Sequence, residues 1–272
     1  MMSEKKPVIA ISILGIILLC SVFAGIVAPY EMNQMNVEVM NQPPSLQHLF
    51  GTDSLGRDLF SLIWYGGRVS LYIGLLAGTI STVIAVIYGC ASGLGGERVD
   101  DLMMRFVELL LSIPSILMII FLQAIWGAAS PTSIAVVIGI TNWMNISKIV
   151  RSEVRQIGKS DYILAARAMG GGFFYILWKH LLPNFVSSIM FMVVTNIGAA
   201  IGTEATLSFL GLGLPLTTVS WGSLMSMSQS VLLSNCWWII LLPGLFLVGT
   251  LVCVTDIGEY IRMKNNRRYS NL

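Results

Sequence analysis

The chain has 272 residues, of which 55% are hydrophobic and only 11% charged. That balance excludes an ordinary water-soluble domain, where about 25% of residues carry a charge. A net charge of +2 brings no nucleic-acid patch, and the four cysteines (Cys20, Cys90, Cys236, Cys253) lack the Cys-x-x-Cys spacing of a metal site. They read as small core residues.

A membrane-crossing helix needs about 20 apolar residues, and the first candidate, Val8 to Ala28, has no charge. Its length exceeds the ~7–15 residues of a signal-peptide core, so it reads as a retained anchor. The stretch from Pro29 to Gly67 then lies outside the membrane. Within it, Gly51 and Gly56 permit tight turns, and Thr52 or Asp53 can cap a short following helix. Asp53 and Asp58 flank Arg57 closely enough for a local charge network. His48 and one carboxylate are too few ligands for a metal. These six residues, 51–53 and 56–58, are expected to shape the outer loop rather than to touch substrate.

The second helix, Val69 to Leu94, carries Gly74, Gly78 and Gly89, small residues that let membrane helices approach closely. After a turn, Asp101, Arg105 and Glu108 follow at helical spacing, and Arg105 is the expected partner of Glu108. The uncharged run from Leu109 to Ser147 is too long for one helix and breaks at Gly127–Pro131, giving a third and a fourth. Gly158-Lys159-Ser160 looks like the tail of a phosphate-binding loop, but Glu153 stands where that motif needs glycine. Any ATP that drives this protein binds to another chain.

From Asp161 to Asn184 the chain leaves the apolar pattern. Good helix formers from Tyr162 to Met169 present a slim surface at Ala165, Ala166 and Ala168. Gly170, Gly171 and Gly172 can end that helix and reverse the chain. An amphipathic piece, Phe173 to Leu182, leads to Pro183, where a new apolar helix can begin.

The fifth helix covers Phe185 to Thr203 and continues through Glu204. Thr195, Asn196, Thr203 and Glu204 are polar at membrane depth, where such groups face a bundle interior or a wet cavity. Glu204 fits two roles equally, an acidic group near the outer end of a route and a buried hydrogen-bonded brace. Gly211 to Cys236 reads as a re-entrant or interfacial segment. Trp237 to Thr255 is the sixth helix, with Pro243 and Gly244 inside it, and a basic tail follows. If the N-terminus is cytoplasmic, the inner segments or their flanks hold 14 of the 16 Lys and Arg residues, with Arg57 and Arg68 outside. Both termini are therefore expected in the cytoplasm.

Three strings carry a family resemblance. Ala165-Ala166, Gly170 and Leu182-Pro183 resemble the cytoplasmic coupling loop of ABC-importer permeases, with Leu164 where that pattern opens with Glu and His180 where it has an aliphatic residue. Gly51-Thr52-Asp53 with Gly56-Arg57-Asp58, and the stretch Glu204 to Gly213 with Ser220-Trp221-Gly222, are similar to the dipeptide, oligopeptide and nickel branch of that family. The resemblance covers His48 to Arg262. It implies an all-α integral membrane protein with six transmembrane helices and the type I ABC-importer permease fold. Residues 1–66 would form an anchor helix and external segment, and 67–272 the transmembrane domain, with its coupling loop at about 151–183.

By the same resemblance, Asp161, Leu164, Ala165, Ala166, Arg167, Gly170, Leu182 and Pro183 contact an ATPase. The implied function is half of an import route for small peptides or nickel and metal chelates, in the inner cell membrane. The implied partners are a second homologous permease, two ABC ATPase subunits holding ATP and Mg, and an extracytoplasmic substrate-binding protein. The chain itself is expected to be no enzyme and to bind no cofactor or metal. The rival reading is a stand-alone ion-coupled carrier or channel using Glu108, Arg105 and Glu204. A second rival is a membrane-embedded hydrolase, against which the two histidines lie at opposite ends of the topology, a poor placement for a shared catalytic dyad.

Overall fold

The computed structural model describes residues 7–215, 217–227 and 236–270. Those residues are helical with no strand among them. The chain opens with α1 (Val8–Val22) and a single turn α2 (Ala24–Val27), separated at Phe23. An irregular stretch follows, and α3 (Leu59–Leu94) is the longest element at 36 residues. It starts well before the charge-free run does. Arg68 interrupts that run but not the helix, because its guanidinium donates to the carbonyls of Ser21 and Val22 at the end of α1. The boundary expected at 66/67 therefore falls inside α3.

The expected third helix is two, α4 (Glu97–Leu111) and α5 (Ser115–Trp126), bent by 87°. The physical cause is Pro114, which removes one backbone donor and drives Ile113 away from the helical region. Next comes α6 (Pro131–Ile157), opened by a capping box in which Ser130 and Ser133 exchange side-chain and backbone bonds ahead of a proline in the first turn. The glycine-rich element contains α7 (Asp161–Ala168) and α8 (Phe173–Ile176). A π-helical turn over Leu177–Leu181 leads directly into α9 (Leu182–Phe209). The helical path therefore passes through Pro183 rather than restarting there. Widening the turn just ahead of a residue without an N–H spares the ladder a bond it could not make. The buried helix α10 (Trp221–Met227) lies in the expected re-entrant stretch, of which 228–235 fall outside the described residues. Last is α11 (Trp238–Ser270), extending well past Thr255.

Four helices, α3, α6, α9 and α11, are long and apolar enough to cross a membrane; α4 with α5 forms a bent fifth candidate, and α1 is a shorter apolar helix. That inventory is compatible with six crossings. Glycines mark the register. A Cβ on Gly78 would lie 2.5 Å from Ile197 Cγ1 and one on Gly74 would strike Ile201, so α3 and α9 run antiparallel with their backbones close. Gly89 and Gly93 abut Val150 and Val154, which sets α6 parallel to α3. Gly198 and Gly258 seat Val254 and Thr195, pairing α9 antiparallel with α11. The N-terminal ends of α3, α6 and α11 thus share one end of the bundle with 29–58 and α10. The other end holds the α3–α4 turn, the end of α6, and 158–181.

Candidate functional site: a neutral cavity and the clusters at its two ends

The bend at Pro114 opens a cavity of about 540 Å³ between the α4–α5 corner, α6 and α9. Its walls include Ser115, Thr141, Asn142, Asn145, Thr195, Asn196 and Thr203 beside Leu111, Pro114 and Met192. Among the described residues, none that lines it carries a charge. The threonine hydroxyls donate back along their own helices, Thr195 to Phe191 O (3.0 Å), Thr203 to Ala199 O (2.8 Å) and Thr141 to Val137 O (3.0 Å). They present methyls and spare lone pairs. Asn196 donates its amide to Ser81 of α3. The side chains of Asn142 and Asn145 make no hydrogen bond among the described residues, and both line the space. Of these residues, Thr195, Asn196 and Thr203 are the ones expected on a wet face from the sequence; Asn142 and Asn145 are additions.

Glu204 does not reach this cavity. It is fully enclosed and accepts hydroxyl bonds from Ser70 of α3 (3.1 Å), Ser208 of α9 (2.8 Å) and Ser220 before α10 (2.7 Å). A carboxylate needs such donors once it leaves water. Three elements meet on one side chain, which is the geometry of the brace, the second of the two roles the sequence left open. Ser220 and Ser223 also exchange backbone-to-hydroxyl bonds, and Trp221 N donates to Ser70.

The 51–58 string folds into one buried knot. Asp53 receives Arg57 Nε (2.8 Å) and Nη2 (2.7 Å), and its other oxygen accepts the backbone N–H groups of Leu55 and Arg57. Asp58 turns the other way, to His48 Nδ1 at 2.9 Å, and caps α3 by accepting from Ser61 N (2.8 Å) and Ser61 Oγ (2.7 Å). The cap is Asp58 rather than Thr52 or Asp53. Thr52 instead ties Val39, Gln42 and, through its carbonyl, Trp238 Nε1 to the knot. Gly51 (φ +76°) and Gly56 (φ +69°) occupy left-handed positions, and a Cβ at Gly56 would overlap the Asn36 carbonyl.

At the opposite end, α7 closes with Gly170 at φ +83° and a Gly171 N to Ala166 O bond of 2.9 Å, a Schellman ending. Its faces differ. Ile163 and Ala166 are buried against the chain's own core, while Tyr162, Leu164, Ala165, Ala168 and Met169 are exposed. Ala166, expected among the coupling residues, is buried within the chain itself. Asp161 is exposed. The side chains of Arg167, Leu182 and Pro183 lie outside the described ones. Nearby, Glu108 meets Lys148 of α6 at 3.7 Å rather than Arg105. The dominant charge cluster here was missed. Asp100, fully enclosed, accepts from Ser92 at the end of α3 and from Arg151 and Arg155 of α6. Its signal was register, since Asp100 shares the buried stripe of Met104 and Val107 on α4.

Comparison with known proteins agrees with this arrangement. Residues 81–261 match the family described as binding-protein-dependent transport system inner membrane component. The chain is 38% identical over 258 residues to the dipeptide transport system permease protein DppC of Bacillus subtilis, covering 94% of this chain and 80% of that one. It is 36% identical over 256 residues to the oligopeptide transport system permease protein OppC of the same organism, covering 94% and 82%. The polar cavity, the apolar helices around it and these likenesses describe a multi-pass transport component rather than an enzyme, and the chain belongs to the family of binding-protein-dependent transport system inner membrane components.

Proposed function

We propose that this chain is one permease subunit of an ATP-driven importer of small peptides and supplies half of the translocation route. The observation that carries the cargo class is the cavity, whose free amides at Asn142 and Asn145 match the donors and acceptors of a peptide backbone. Free divalent nickel prefers imidazole, thiolate or carboxylate donors, and the cavity wall offers none. The names of the relatives point the same way. A second, homologous permease completes the route, two ABC ATPases hold ATP and Mg, and an extracytoplasmic binding protein delivers cargo. Both termini are cytoplasmic, which puts Arg98, Arg105, Arg151, Arg155, Lys159 and Lys179 on the inner side.

The exposed face of α7, Leu164, Ala165, Ala168 and Met169, docks onto an ATPase. Apolar burial of about 25 cal/mol per Å² drives that contact, while Ile163 and Ala166 hold the helix to its own bundle. Closure of the ATPases on nucleotide then rocks the helices between access states. The test is uptake into membrane vesicles carrying the whole transporter, with radiolabelled dialanine, tetraalanine and nickel as probes. ATP-dependent peptide uptake is expected. Nickel uptake without either peptide would overturn the cargo class. Ala165→Asp is expected to lose the co-purifying ATPases, and normal assembly in that variant would remove the docking role from α7.

A further inference from the structure

Resting on the coupling role of α7 proposed above, we infer that Asp100, with Arg151 and Arg155, is the joint that makes α4 and α6 move as one body and so transmits motion from α7 to the cavity walls. The path is continuous. Arg151 and Arg155 lie one turn apart in the last two turns of α6, and only residues 158–160 separate that helix from α7. Those three carry no slack: Gly158 N bonds Val154 O (2.7 Å), Ser160 N bonds Ile157 O (2.9 Å), and Ile163 N bonds Ser160 O (3.1 Å). Ile163 also joins the buried cluster that holds Val150 and Val154 of α6 and Met104 and Val107 of α4.

From the joint, two arms reach the cavity. One is α6, which carries Thr141, Asn142 and Asn145; the other is α4, which ends at Leu111 beside the Pro114 corner. Asp100 clamps the first turn of α4 to the last turns of α6, with Ser92 of α3 as a third contact. Glu108–Lys148 and the shared apolar cluster also link α4 to α6, but Asp100 is the enclosed link that takes two arginines, and its loss loosens the α4 wall from a turn of α6. Asp100 is thus a positioning residue for transport. The arginine side chains remain 26% and 43% exposed, so they can take water when the carboxylate is removed. The enclosed member is the one to change.

The experiment uses the complete transporter in vesicles, with radiolabelled dialanine or tetraalanine, whichever the wild type imports, and measures uptake and ATP hydrolysis together. Asp100→Asn and Arg151→Gln are expected to retain their ATPases and to hydrolyse ATP, while peptide imported per ATP falls about fivefold or more. Arg155→Gln and Ser92→Ala, each removing one tie, should fall between these variants and wild type. An unchanged ratio in Asp100→Asn overturns the joint and leaves the docking role of α7 intact, since Ala165→Asp tests that separately by assembly. If Asp100→Asn only lowers the amount of inserted chain and the two single-tie variants keep the wild-type ratio, the cluster is a folding brace and the inference fails.

Discussion

Two carboxylate clusters sit at the two ends of α3, separated by about 50 Å at 1.5 Å per residue. At one end Asp53 and Asp58 bind Arg57 and His48, all within an eleven-residue stretch of chain, 48–58. At the other, Asp100 binds arginines 51 and 55 positions away, on a different helix. The first cluster encloses both partners, with Arg57 only 3% exposed, whereas the second encloses the carboxylate alone. A local, fully enclosed knot fixes the shape of one end and the start of a helix. A long-range cluster with wet arginines joins elements that can change their relation. The same chemistry holds form at one end and, in the role proposed for Asp100, transmission at the other.

The largest expected effect is at the local knot. Asp53→Ala strands a buried guanidinium, which should cost about 3–5 kcal/mol and remove most folded chain from the membrane. Thermal unfolding in detergent measures it, and a loss no larger than that of Asp100→Asn would erase the distinction between the ends. Midway between the two clusters, Gly78→Leu forces side-chain volume against Ile197 and should cost about 1–3 kcal/mol by overpacking. An unchanged midpoint there would mean that α3 and α9 part easily.

A smaller change is expected at the serine-ringed carboxylate. Glu204→Gln keeps an acceptor for rotatable hydroxyls, so it should cost about 1 kcal/mol and leave peptide uptake near wild type. A transport defect with normal stability would return Glu204 to the route. Smallest for folding is Asn145→Ala on the exposed cavity wall, within about 0.5 kcal/mol. Its effect should fall on the peptide concentration needed for half-maximal uptake, and an unaltered uptake curve would detach the cavity from the cargo.

How much of this was legible in the sequence follows from the same contrast. Apolar runs place α3, α6, α9 and α11, and the glycine trio ends α7, because hydrophobic length and backbone freedom are properties of short stretches. The Asp53–Arg57 pair was legible for the same reason. The Asp100 cluster was not, since Arg105 and Glu108 offered a nearer pairing and nothing local points from residue 100 to residue 151. The 87° corner was hidden because Pro114 sits in a run apolar enough to pass as one helix. Burial of Ala166 escaped because eight residues of alanine-rich helix have no strongly polar side to orient them.

The close crossing of α3 and α9 at Gly74 and Gly78 lies almost at the centre of the 36-residue rod. Packing is not confined to that point, since α6 lies against the same rod from Ile80 to Gly93. At about 54 Å overall the rod is longer than a hydrocarbon core about 30 Å thick, so its length exceeds what an upright crossing needs. Held by α9 at its centre and by α6 toward its Ser92 end, the rod is a common spine, and a helix leaving either seat must first clear a glycine notch.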